Sequence, residues 1–364
     1  MRNRLIKVRD VLEKYSLDAL LISSVPNIIY LTGYAGFSLN EREAYLLVTK
    51  KNLFLFTDGR YIHAVKNIAH ATVKEISPIF PLLKTLETIC TEEKISLIGF
   101  EEENLTVAEY KHLKKEFPKL KPVALHDLRI QKERDEITAI QRACALGDKA
   151  FTALLPKIKL GITEKELAFE LEFFIKKHGG ALSFPTIVAF GKNAAIPHHL
   201  TSNQQLATSN QFILMDFGVL IDNYCSDMTR TVFFGKAGNK EKKIYNTVLE
   251  AQAKTIELLN NRTIEQYNNG MQASSIDLTA RDHITSQGFP SIPHSVGHGI
   301  GIEVHESPTI SPKSKDILAP GMVFSVEPGI YLPEKYGVRI EDLVTIHNGK
   351  PILLTNAPKT LIEL

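Results

Sequence analysis

Five acidic or imidazole residues in the carboxy-terminal part of the chain stand out by their surroundings: Asp216 in LMDFG, Asp227 in CSDMTRT, His298 in GHGIG, Glu327 in SVEPG and Glu341 in RIEDL. Each lies in or beside an apolar, β-type run. A lone carboxylate buried there costs roughly several kcal/mol and persists only when paired or metal-bound. Gathered in one place, the carboxylates need a cation. With one imidazole they form a hard, oxygen-rich donor set that suits Mn, Fe(II), Co or Zn pairs and disfavours a thiolate zinc site. Two ions about 3.5–4 Å apart, bridged by carboxylates, can share one nucleophile derived from water, so hydrolysis is the natural chemistry.

The elements that must position these groups can be read from periodicity. Asp216 and Asp227 are 11 residues apart, with Asn223 and Tyr224 as turn material, which suits a hairpin bringing both carboxylates together. The spacing leaves their faces open, because turn length sets the register. Over the first 120 or so residues, β-rich runs at 19–22, 44–49, 53–57, 71–76 and 95–100 alternate with helical patterns such as Leu5, Val8, Leu12 and Tyr15. This predicts an α/β amino-terminal domain over residues 1–125, and a second domain over 134–364 opens on a long amphipathic helix. There, two rounds of helix, helix, then β-rich runs (184–190, 212–219 and 228–234; 301–305, 322–326 and 338–345) suggest an internal pseudo-two-fold repeat from element order alone.

Composition narrows the class. With 364 residues, 43 Lys+Arg against 41 Asp+Glu and a net charge of +2, the chain has no global field to hold a phosphate backbone, which argues against nucleic acid as a partner. No run approaches the roughly 20 apolar residues that span a bilayer, and the first residues mix Arg, Lys and Glu where a secretory signal would be apolar. Three scattered cysteines, Cys90, Cys144 and Cys225, support neither a disulfide framework nor a thiolate metal site, so a cytoplasmic, reduced protein is expected. Cys225 has no evident activating base and reads as a core or turn thiol. The Lys-rich stretch 111–121 reads as a solvated helix face.

The segments IPHH (196–199), LMDFG with YCSDMTRT (214–231), PHSVGHGIGIEVHESP (293–308), GMVFSVEPGIY (321–331) and GVRIEDLV (337–344) resemble the Xaa-Pro peptidases, the group of aminopeptidase P and prolidase. NIIYLTGYAGF (27–37) and FTDGRY (56–61) resemble that group's amino-terminal domain. The resemblance implies an α+β pita-bread catalytic domain and a peptide substrate with proline second; the carboxylate-rich set points to two divalent metal ions with Mn foremost, and an amino-terminal domain with no recognisable catalytic set, joined to one that has it, points to a homodimer. The resemblance makes Asp216 a terminal metal ligand, Asp227 and Glu341 the bridges, and His298 and Glu327 the rest of the second ion's shell.

The resemblance also gives Glu327 the task of handling the proton of the nucleophile. His305 would touch the substrate near the scissile carbonyl, His294 would line the proline side, and His198 would stabilise the tetrahedral intermediate and leaving nitrogen. Arg339, two residues before Glu341 and so on the same strand face, would orient that carboxylate or the substrate. His198 fits the PH motif, whereas His199 fits the family's spacing to Asp216, which is one residue shorter. His198 is preferred, since an extra residue in the 206–211 loop is easily accommodated. Phe184 would pack on a substrate proline ring or serve as an ordinary strand aromatic. FTDGR reads as a strand-end turn with a helix start, the alternative being that Asp58 or Arg60 reaches across a dimer. Aminopeptidase activity on peptides of three or more residues is the expected reaction. Prolidase activity on dipeptides is the alternative, with a non-catalytic binding protein and a metal-free creatinase-like hydrolase as rivals.

Overall fold

Leucine- and phenylalanine-rich runs form the sheet of the amino-terminal unit. Its strands are β1 (Ala19–Ile22), β2 (Ala44–Thr49), β3 (Leu53–Thr57), β4 (Thr72–Glu75), β5 (Ile98–Glu101) and β6 (Leu120–Val123), in the order β4-β3-β2-β1-β5-β6. Every residue of β1, β2 and β3 is buried, as expected of central strands covered on both faces. Helix Leu82–Glu92 places Leu86, Ile89 and Cys90 in the same core as Leu21, Leu47 and Phe56. Strand β6 was not expected. It is half-exposed and carries Pro122 on the sheet edge, so it lacks the alternation by which a buried strand is read.

The computed structural model describes residues 2–261 and 270–364. The chain divides into two units, Met1–Leu128 and Arg129–Leu364. Among the described residues no helix is long and apolar enough to cross a membrane. All three cysteines are free and buried.

In the second unit one order of elements occurs twice. Helices Arg134–Leu154 and Glu164–Lys177 precede β7 (Ala181–Leu182), β8 (Ile187–Phe190), β9 (Gln211–Phe217), β10 (Val219–Ile221), β11 (Tyr224–Cys225) and β12 (Met228–Phe234). Helices Asn239–Asn260 and Ala273–Ser286, with β13 (Met271–Gln272) between them, precede β14 (Gly297–Gly299), β15 (Glu306–Ile310), β16 (Ile317–Leu318), β17 (Val323–Val326), β18 (Gly329–Leu332), β19 (Tyr336–Arg339), β20 (Asp342–His347) and β21 (Lys350–Leu353). The main sheets run β12-β9-β8 and β15-β14-β17-β20-β21. Each round has its own apolar core, one around Ala150, Leu171 and Met215 and the other around Val248, Ile284 and Phe324.

Three local expectations need correction. The turn between the two aspartates is Asp222-Asn223, both left-handed (φ 50° and 70°) as a tight hairpin turn requires, and Tyr224 already belongs to β11. Residues 301–305 are bends, because the strand of that region, β14, ends at Gly299 after a register shift between His298 and Gly299. The run 338–345 is two strands, broken at Ile340 and Glu341. That break removes the premise that Arg339 and Glu341 share a strand face.

Candidate active site

The hairpin of β9 and β12 pairs Asp216 with Thr229, so both point to one face, and Asp227 lies two residues before Thr229. Glu341, in the break between β19 and β20, donates its N–H to Thr229 O (3.1 Å) and thereby joins the same face. Its carboxylate accepts from Thr229 Oγ1 (2.7 Å). From the second round, His298 arrives on β14. A Cβ at Gly297 would lie 2.0 Å from Ser325 O and one at Gly299 2.1 Å from Ser307 O, so only glycine on each side of His298 lets the neighbouring strands close in. Ser325 Oγ accepts from His298 N (3.0 Å) and donates to Glu327 Oε1 (3.2 Å), coupling the neighbouring strands β14 and β17.

Ligand-type atoms of Asp227, His298 and Glu341 lie within 4.8 Å of one another. His298 Nε2 is 3.5 Å from both Asp227 Oδ2 and Glu327 Oε1. Asp216 lines the same cavity, with Oδ2 held by Arg339 Nη2 at 2.5 Å. Arg339 also donates to Thr229 Oγ1 (2.9 Å), Tyr331 Oη (2.9 Å) and Pro197 O (3.3 Å). Its hydrogen bonds thus orient Asp216 and reach Glu341 only through Thr229, contrary to the expectation from spacing.

The electrostatics are those of an unneutralised anionic cluster. Burial, then mutual repulsion, raises the carboxyls of Asp227 and Glu341, the former to about 7. Burial raises Asp216 as well, against the pull of Arg339. For His298 burial favours the neutral ring, but its hydrogen bond to Asp227 and the charge of Glu327 carry it up to about 9. Asp227 Oδ1 is buried without a hydrogen-bond partner. An orphaned carboxylate oxygen among hard donors, in a cluster that resists full ionisation, fits a divalent cation.

A cavity of about 780 Å³ opens over this cluster, lined also by His198, His199, His294, His305 and Phe184. The rings of His298 and His305 meet edge to face at 4.3 Å. His294 is fixed by Ser295 O (2.7 Å) and Tyr331 Oη (2.8 Å). His198 is exposed, whereas His199 Nε2 is bound to the buried Glu164 at 2.8 Å. Phe184 precedes β8 and is not part of it. Burial pushes the Cys225 thiol up to about 12, and its Sγ faces Ile302 O, consistent with a core thiol. Sequence reasoning missed Tyr331, Thr229, Ser325 and Glu164. The first three lie inside the quoted motifs, whereas the helix-start signal at Glu164 says nothing of its burial.

Comparison with known proteins agrees over the whole length. The model of metallopeptidase family M24 matches residues 138–348, and that of the creatinase/prolidase N-terminal domain matches residues 4–135. The Xaa-Pro dipeptidase of Pyrococcus horikoshii is 34% identical over 100% of this chain and 99% of its own. Among solved structures, the Xaa-Pro dipeptidase from Bacillus anthracis superposes with a TM-score of 0.91 at 32% identity, covering 100% of this chain and 99% of that one. The X-Pro aminopeptidase from Thermotoga maritima gives 0.84 at 31% identity, covering 96% and 98%. With its pita-bread second unit and a creatinase/prolidase-type unit before it, this chain belongs to metallopeptidase family M24.

Proposed function

We propose that this protein hydrolyses the peptide bond between an amino-terminal residue and a following proline, with residues 134–364 carrying the site. In this reading Asp216, Asp227, His298, Glu327 and Glu341 would hold two divalent ions. The observation that carries it is the meeting, in one cavity, of mutually close metal-type donors, one carboxylate oxygen among them without a hydrogen-bond partner, with four further imidazoles. Manganese suits the carboxylate-rich set, ahead of cobalt, iron or zinc. Divalent ions there supply Lewis acidity and an activated water.

The chain's own groups do the rest. Glu327, aligned by Ser325, takes a proton from the attacking water and returns it to the proline nitrogen as the C–N bond breaks. His198 and His305 donate towards the carbonyl oxygen as it gains charge. His294, locked by Tyr331, lines the proline side. An Xaa-Pro amide has no N–H, so recognition falls to imidazole contacts and to the apolar wall of Phe184, Ile187 and Val304.

Peptides of three or more residues are the preferred substrates in this reading. Among the described residues lining the cavity Arg339 is the only Lys or Arg, and its donors are committed to Asp216, Thr229, Tyr331 and Pro197, so these residues offer no free cation to a dipeptide carboxylate. The second reading, dipeptide cleavage, is favoured by the names of the Pyrococcus and Bacillus relatives. Comparing kcat/KM for Ala-Pro and Ala-Pro-Ala under equal manganese loading separates them. A tenfold preference for Ala-Pro, about 1.4 kcal/mol in the transition state, assigns a dipeptidase, and cleavage of neither substrate refutes both. A homodimer in the cytoplasm, with the amino-terminal unit in the contact, completes the proposal; a monomer in sedimentation at micromolar concentration would reject that part.

A further inference from the structure

Glu164 is the first residue of helix Glu164–Lys177, its side chain is wholly buried, and it does not line the cavity. Its carboxylate nevertheless collects five donors. Oε1 accepts from Phe190 N (2.8 Å) and Asn193 Nδ2 (2.8 Å). Oε2 accepts from His199 Nε2 (2.8 Å), Ser202 N (3.0 Å) and Ser202 Oγ (2.5 Å). These donors come from both ends of one loop, which leaves β8 at Phe190 and returns at Ser202, and Pro197-His198-His199 lies between them. The backbone reinforces the grip, with Glu164 N donating to Gln204 O and Lys165 N to Ser202 O.

Charged hydrogen bonds of this number fix a loop as firmly as a strand pairing would. Although burial disfavours its charge, the donors from Ser202, Asn193 and His199 hold the Glu164 carboxyl below its usual range. Both histidines line the cavity, but His199 is occupied by that grip and His198 makes no hydrogen bond among the described residues, so His198 is the imidazole of the pair left to meet a substrate.

We propose that Glu164 is a positioning residue for the reaction: one buried carboxylate clamps both ends of the 190–202 loop and, through His199, presents His198 to the cavity. This rests on the proposed role of His198 and extends it to a group that touches neither substrate nor metal.

A double-mutant cycle on the full-length, manganese-loaded protein tests it, with Ala-Pro-Ala as substrate and metal content measured in parallel. Glu164→Gln keeps one acceptor oxygen and loses the other. It should lower kcat at least tenfold with bound metal per chain unchanged. In the His198→Ala background the same change should cost less than twofold, because two residues acting through one contact do not add. A general structural role would instead multiply the two losses, and that outcome, or loss of metal in Glu164→Gln, overturns the proposal. If Glu164→Gln does not fold, Ser202→Ala, which removes one donor, takes its place in the cycle with a several-fold loss expected and the same non-additivity required. An active wild type with a fully active His198→Ala also overturns it. A wild type that cleaves neither Ala-Pro nor Ala-Pro-Ala refutes the Xaa-Pro reading on which it rests.

Discussion

Glu101 in the amino-terminal unit and Asp227 in the carboxy-terminal unit are 4% and 5% exposed, yet their surroundings differ in kind. Glu101 accepts from Ser23 N (2.5 Å), Ser24 N (2.6 Å), Ser24 Oγ (2.9 Å) and Asn27 Nδ2 (2.5 Å), closing the start of helix Val25–Thr32. Asp227 has one oxygen without a partner and the other 3.5 Å from His298 Nε2, and it lies among Asp216, Glu327 and Glu341. A buried carboxylate surrounded by donors is part of the scaffold, whereas buried carboxylates surrounded by one another wait for a cation. Glu164, in the catalytic unit, follows the first pattern, which marks it as support for the site and not as a ligand.

The sharpest way to break this contrast is to neutralise a member of the cluster. Asp227→Asn or Glu341→Gln should lose bound metal and lower kcat/KM by at least about three orders of magnitude, read from metal analysis and Ala-Pro-Ala cleavage. Near-normal turnover would remove both from the metal set.

A smaller effect concerns pH. Asp227, raised to about 7, and His298, raised to about 9, must both give up protons before they can ligate. Manganese affinity should therefore rise between pH 6 and pH 9, by about tenfold per unit for each proton released. Calorimetry in buffers of different ionisation enthalpy reads the proton count, and a pH-independent affinity would contradict the crowding of the site.

Stability should separate the two acids in opposite directions. In metal-free protein at neutral pH, Glu101→Gln strands donors that the carboxylate satisfied and should cost about 2–3 kcal/mol. Asp227→Asn should be neutral or stabilising, since it removes a charge that the folded state opposes. Thermal unfolding of the two variants side by side checks the pair, and equal losses would erase the distinction.

The smallest effect belongs to Glu109. Burial opposes its charge, but hydrogen bonds from Arg42 and Thr106 hold its carboxyl at about 2. A folded-state value below the usual 4.5 stabilises the fold above that pH, and the contribution disappears as pH falls towards 2. Solvent screening keeps it small, so Glu109→Gln should cost about 1 kcal/mol at pH 7 and nothing measurable at pH 2.

By itself the sequence determined the elements whose signal is local. Strands β1, β2, β3 and β12 and helix Glu164–Lys177 lie where their apolar periodicity puts them, because burial of a regular face imprints a regular pattern. The motifs around Asp216, Asp227, His298, Glu327 and Glu341 named residues that the fold gathers on one cavity. The tertiary structure decided what depends on partners distant in the chain. Arg339 lies two positions from Glu341 yet binds Asp216, 123 residues away, because the chain leaves β19 before Glu341. Of two adjacent histidines that both line the cavity, His199 is the one tied down, by Glu164 35 residues before it. No periodicity records such choices, since a hydrogen bond between remote segments constrains only its two ends and leaves the intervening sequence free.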